Sequence, residues 1–209
     1  MRVSSLKRGF TLIELMVVIA IIGILATIIT GSLSSSRAKG NDARRIADIK
    51  SIQVSLELYY NDNLMYPKNI YATSGTAPNN GLAPSYISVV STDPSGNTTP
   101  QTCATTPTTA GCYTYQAYAY GASAACTTSN PSVKYHLGVG FQQTANTALT
   151  QDVDAPLAGS GVMAGFIACT GAGAGDFSGL DTAVSPAQCR NNPGSAQPSG
   201  TETCYDVTN

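Results

Sequence analysis

The stretch Gly9-Phe10-Thr11-Leu12-Ile13-Glu14 begins the segment around which this chain of 209 residues is organised. Between Phe10 and Ile29 the only polar or ionisable residues are Thr11, Glu14 and Thr27. At about 1.5 Å per residue, a helix of this length measures roughly 30 Å, the thickness of the hydrocarbon core of a bilayer. We therefore predict a transmembrane helix over residues 10–30. Since a carboxylate inside such a segment is costly, Glu14 is a candidate functional residue that requires a partner.

The residues at this junction also carry a family resemblance. Lys7-Arg8-Gly9-Phe10-Thr11-Leu12-Ile13-Glu14 resembles the prepilin leader junction of type IV pilins and of the pseudopilins of type II secretion. The resemblance implies that a prepilin peptidase cuts after Gly9 and methylates the new N-terminal Phe10. It also implies that Glu14 pairs with the terminal ammonium of a neighbouring subunit, where two buried opposite charges offset each other's desolvation.

Two other interpretations of the N-terminus compete with this one. In the first, the run is an ordinary single-pass anchor whose glutamate reaches the membrane interface. In the second, it is a conventional signal peptide, but the run exceeds the usual apolar length of about 7–15 residues and no clear A-x-A site follows. We therefore treat residues 1–9 as a cleaved leader and exclude them from the fold.

The charge distribution separates the N-terminal region from the rest of the chain. Charged residues make up 11% of the sequence, and from Ser51 onward three basic residues stand against nine acidic ones. An acidic outer domain argues against nucleic acid as a partner.

All six cysteines follow Tyr60, which predicts disulfides formed in an oxidising compartment. They are Cys103, Cys112, Cys126, Cys169, Cys189 and Cys204. Fifteen pairings of six cysteines exist. Sequence proximity favours Cys103–Cys112 and Cys189–Cys204, which leaves Cys126–Cys169.

The helix is expected to continue beyond the apolar run as an amphipathic segment over residues 31–62. Its apolar residues recur at steps of three and four, which is the helical period. They are Ile49, Ile52, Leu56 and Tyr59, and the charged residues Arg44, Arg45, Asp48, Lys50 and Glu57 are expected on other faces. Because glycine weakens helices, Gly31 is a predicted weak point.

The remainder, residues 63–209, is predicted to form a globular extracytoplasmic domain with an antiparallel sheet. The clearest strand is the alternating run from Val133 to Gln142, and Tyr113–Tyr120, Val162–Cys169 and Thr203–Val207 are further candidates. One sheet face is expected on the helix and the other towards solvent or neighbours. His136, the only histidine, lies on the polar side of its strand and is expected to be solvated.

Further landmarks resemble the major pseudopilins of type II secretion. They are the stretch from Asp62 to Pro67, with Leu64 in place of the family's glycine, and Asp93-Pro94-Ser95-Gly96. The resemblance covers about residues 6–100. It implies an α+β fold, in which a long N-terminal helix has a protruding first half and a second half packed on a small antiparallel sheet.

Four aspartates form a candidate calcium site, because carboxylates in loops suit Ca²⁺ and the major pseudopilins are known for such a site. They are Asp152, Asp154, Asp176 and Asp181. Their spacing matches no EF-hand, and solvated loop aspartates are the alternative. No cofactor is otherwise required.

The sequence is thus interpreted as a type IV pilin-like filament subunit, either a surface pilin or a major pseudopilin. The resemblance implies self-assembly into a helical homopolymer, with prepilin peptidase and an inner-membrane assembly platform as partners. The subunit is expected in the bacterial inner membrane before assembly, and in a periplasmic or cell-surface filament afterwards. No enzymatic activity is expected. The alternative is a membrane-tethered binding or adhesin domain that does not polymerise.

Overall fold

The computed structural model describes residues 10–96, 98–105, 111–121, 125–143, 146–150, 152–153, 164–170 and 204–209. The chain divides into two compact units, Met1–Lys39 and Gly40–Asn209. The helices are α1 (Leu12–Asn63), α2 (Pro100–Thr105) and a short 3-10 helix (Thr147–Thr150). The strands are β1 (Thr114–Tyr120), β2 (Ser132–Gly140), β3 (Phe166–Ala168) and β4 (Cys204–Thr208). The predicted α+β class is confirmed.

Helix α1 runs without interruption from Leu12 to Asn63, including the predicted weak point at Gly31. It ends where Leu64 adopts a φ of 55°, in the left-handed region. The Leu64 N–H donates to the carbonyl of Tyr60 at 2.7 Å, and the Asn63 side chain donates to the carbonyl of Tyr59. These bonds satisfy carbonyl groups that the last helical turn leaves without partners.

The four strands form one antiparallel sheet in the order β3-β1-β2-β4. One face carries Tyr115, Ala117, Leu137 and Val139, which are buried together with the apolar stripe of α1. That stripe consists of Ile49, Ile52, Leu56 and Tyr59, all fully buried. The periodicity of the sequence therefore correctly predicted which face of the helix packs on the sheet.

The prediction that the second sheet face meets solvent or neighbours is wrong. Gln116, His136 and Asp206 on that face are buried. His136 is fully buried rather than solvated, and its Nε2 lies 2.6 Å from Oδ2 of Asp206. Gln116 donates to the carbonyl groups of Ala117 and Cys169. The polar residues of these strands are therefore buried because they bind one another and the backbone, which lowers the cost of removing them from water.

Two predicted disulfides, Cys103–Cys112 and Cys126–Cys169, are confirmed. Cys204 is also disulfide-bonded, and Cys189, its predicted partner, lies outside the described residues. The first bridge closes a chain segment with a sequence separation of 9, and the second spans 43 residues. Sequence proximity predicted the first bridge directly, and the second was the pair that remained.

Candidate processing and assembly site

The N-terminus of α1 is held by three hydrogen bonds, made in both directions, between Thr11 and Glu14. Oε2 of Glu14 accepts the backbone N–H of Thr11 at 2.8 Å and its hydroxyl at 2.6 Å. In return, the Glu14 N–H donates to the Thr11 hydroxyl oxygen at 3.3 Å. This arrangement is a capping box, which satisfies backbone donors of the first helical turn. It also keeps a negative charge at the positive end of the helix dipole.

An exposed apolar surface follows the cap on all sides of the helix. Every large apolar side chain from Phe10 to Leu25 is more than half exposed, and Phe10 itself is 92% exposed. A helix that is apolar all round is normally covered by other protein or by lipid. The surface of this unit therefore requires a partner.

The described residues include no helix that meets the combined length and apolarity needed to cross a membrane. The transmembrane helix predicted over residues 10–30 stays a prediction. Gly9, the residue before the predicted cleavage point, lies outside the described residues.

The structure describes only one of the four aspartates of the candidate calcium site. Asp152 lies beside β4, where its Oδ2 accepts the N–H of Asp206 at 3.3 Å. Asp154, Asp176 and Asp181 lie outside the described residues. Within the described part of the chain, no group of three or more acidic, histidine or cysteine side chains has the arrangement of a metal site. The calcium site stays a prediction.

A buried ionic cluster in the second unit is absent from the predicted sites. Arg45, expected on a helix face other than the apolar stripe, is almost fully buried with Asp42 and Asp93. The prediction for Arg45 is wrong because its partner Asp93 lies 48 residues away, beyond the reach of a local helical pattern. The sequence contains two signals. Asp42 and Arg45 are three residues apart, and Arg45 stands four residues before Ile49, so all three lie on the helix face of the apolar stripe.

These features, a capped apolar N-terminal helix and an α+β domain, are those of the pilin-like class. The family model described as the prokaryotic N-terminal methylation motif matches residues 4–30. No solved structure matches the chain significantly.

Three related proteins carry the name type II secretion system core protein G. The Escherichia coli protein is 40% identical over 67 residues, which are 32% of this chain and 46% of the relative. The Pectobacterium carotovorum protein is 36% identical over 98 residues, or 43% of this chain and 63% of the relative. The Pseudomonas aeruginosa protein is 34% identical over 99 residues, or 44% of this chain and 70% of the relative.

The chain thus spans less than two thirds of the length of the first two relatives, 46% of one and 63% of the other. The match to the Pseudomonas protein is 34% identical and covers 70% of that protein. The chain therefore belongs to the family of type II secretion system core protein G, the major pseudopilins.

Proposed function

We propose that this chain is the structural subunit of a pseudopilus-type filament that serves type II secretion. The observation that carries the proposal is the apolar surface from Phe10 to Leu25, exposed on all sides behind a capped helix start. Copies of the same helix, bundled as a filament core, would cover this surface completely.

Processing prepares the subunit for this assembly. In the proposed scheme, prepilin peptidase cuts between Gly9 and Phe10 and methylates the new N-terminus. Cleavage converts an internal amide into a cationic amine. The Glu14 carboxylate of a neighbouring subunit then binds this amine, and the pair sets the register between adjacent helices.

The relatives favour the secretion filament over a surface pilus, because the three described above are all named as components of type II secretion. We place the subunit in the inner membrane before assembly and in a periplasmic filament afterwards. An inner-membrane assembly platform is the expected partner for extrusion. The chain itself is expected to catalyse no reaction.

Calcium binding by the loop aspartates is a separate proposal. Asp152 lies near Asp206 at the edge of the sheet, so a cation bound by Asp152 together with Asp154, Asp176 and Asp181 would be held beside this edge. Chelation of calcium is expected to lower the melting temperature of the full chain, since a ligand that binds only the folded state stabilises it. An unchanged melting temperature would remove the proposal.

The assembly proposal is tested by Glu14→Gln, produced together with the secretion machinery of the host. Glutamine also occurs in capping boxes, so the substitution removes the charge while keeping the helix start. We expect the variant to be cleaved at Phe10 but to be missing from sheared filaments. The matched control is Glu57→Gln, a change of the same type on the outer part of α1, which should assemble. Filaments from Glu14→Gln at the wild-type level would contradict the role of the charge, and a wild type that itself yields no filaments would favour the tethered, non-polymerising domain.

A further inference from the structure

The buried ionic cluster joins α1 to two loops of the Gly40–Asn209 unit. The guanidinium of Arg45 donates to Asp42 at 2.5 Å and, through two nitrogens, to Asp93 at 2.6 and 2.8 Å. The side chain of Arg45 is 1% exposed, and both carboxylates are inaccessible to solvent. Arg45 is therefore a charged side chain inside the core, with two acidic partners.

Both carboxylates also bind backbone groups of the loops. Asp42 accepts the N–H groups of Gln142 and Gln143, which follow β2, at 2.9 and 3.1 Å. Asp93 accepts the N–H of Ser95 at 2.8 Å. Burial acts to raise the pKa of Asp93, but the hydrogen bonds from Arg45 and Ser95 outweigh it and lower that pKa below its ordinary value.

The apolar stripe of α1 selects the packed face of the helix but not its axial position. Ile46, Ile49, Ile52 and Leu56 follow one another at steps of three and four residues. A slip by one turn would exchange the aliphatic side chains among themselves, and cores tolerate such exchanges well. At Tyr59 the stripe does resist a slip, since a buried tyrosine and the aliphatic Leu56 differ in volume. The aliphatic part of the stripe therefore distinguishes only weakly between neighbouring registers.

The ionic cluster distinguishes strongly between the same registers. One helical turn moves a side chain by about 5.4 Å along the axis, which is beyond hydrogen-bond range. After such a slip, Asp93 and Arg45 would be buried without each other. A buried ion pair adds little net stability compared with apolar residues, whereas separating its partners is costly.

We propose that the cluster of Asp42, Arg45 and Asp93 fixes the axial register of α1 on the sheet, while the apolar stripe stabilises the packing. The polar contact of the helix with Tyr113 is more replaceable. The Tyr113 hydroxyl donates to Asp48 at 2.7 Å, but the Asp48 side chain is 15% exposed, so water can take over this bond. The proposal concerns the fold of this unit and does not depend on filament assembly.

The test is a charge-free triple variant, Asp42→Asn, Arg45→Met and Asp93→Asn, in the full chain in detergent. Both asparagines keep a carbonyl oxygen for the loop N–H groups, and methionine replaces much of the arginine stem. Fluorotyrosine incorporation makes the register visible by ¹⁹F NMR, because several of the eleven tyrosines are buried at the contact of helix and sheet. The wild type should give one resonance for each tyrosine.

We expect the triple variant to unfold cooperatively but to show a second set of resonances for its buried tyrosines. The matched control, Tyr113→Phe, removes one polar contact of the same helix and should retain a single set. One set of resonances in the triple variant would overturn the proposal, and so would its failure to fold, because the cluster would then supply stability rather than register. A doubled spectrum in the Tyr113→Phe control would also overturn it, since register would then not depend on the cluster.

Discussion

At the left-handed residue that ends α1, glycine should stabilise the protein more than alanine does. This is the reverse of their usual order inside a helix. Leu64 has a φ of 55° and is 70% exposed. A residue with a Cβ atom loses about 1–2 kcal/mol in the left-handed conformation, whereas glycine adopts it freely. Glycine in turn lowers the free energy of unfolding by about 0.5–1 kcal/mol, because it makes the unfolded chain more flexible. Leu64→Gly should therefore be more stable than Leu64→Ala by about 0.5–1 kcal/mol.

The comparison between glycine and alanine cancels the loss of the leucine side chain, which both variants share. Urea unfolding of the full chain in detergent measures the difference. Gly40 supplies the control, because it lies inside α1 with no atom within 4 Å of the position that a Cβ would occupy. At that helical position, Gly40→Ala should increase stability by about 1 kcal/mol. A Leu64→Ala variant as stable as Leu64→Gly, with the expected gain at Gly40, would refute the reasoning about the helix end.

Three further predictions concern the Gly40–Asn209 unit. Gly81→Ala should reduce the free energy of unfolding by about 1–3 kcal/mol, because a Cβ there would lie 2.3 Å from a backbone carbonyl oxygen; unchanged urea unfolding would contradict this. Acid should destabilise the unit because the pKa of Asp93 is lowered in the folded state. The stability that ionised Asp93 contributes is complete above the ordinary pKa of 3.8 and is lost as the pH falls through the lower pKa of the folded state. Asp93→Asn should therefore flatten the acid limb of a curve of stability against pH. Replacing Cys103 and Cys112 together by alanine should lower stability by about 2.5 kcal/mol, from the closure entropy of a short loop, and equal denaturation midpoints would count against that role.

The parts of the fold that were predictable from sequence are those with a local period. Ile49, Ile52, Leu56 and Tyr59 repeat with the helical period, and the alternation beginning at Val133 marks β2, so both packing faces were visible without a structure. Of the two confirmed disulfides, Cys103–Cys112 follows from proximity along the chain, whereas Cys126–Cys169 was only the pair that remained. Apart from that pair, the information lies within a short segment in each case.

The parts that were missed depend on distant partners. Arg45 is buried because Asp93 approaches it from another segment, and His136 is buried because Asp206 lies on the adjacent strand. A polar residue on the alternate positions of a strand is usually solvated, and nothing near His136 in sequence indicates otherwise. At the N-terminus the miss was local instead, because Thr11 and Glu14 stand at the T-x-x-E spacing of a capping box, which the prediction of Glu14 as a functional residue did not use.

The most direct test of the central claim is the intact mass and N-terminal sequence of protein sheared from cells that express the secretion machinery. A filament subunit processed as proposed begins at Phe10 and carries one methyl group on its terminal amine. A chain that retains Met1, or one cut beyond Ile29, would contradict prepilin processing and with it the proposed filament function.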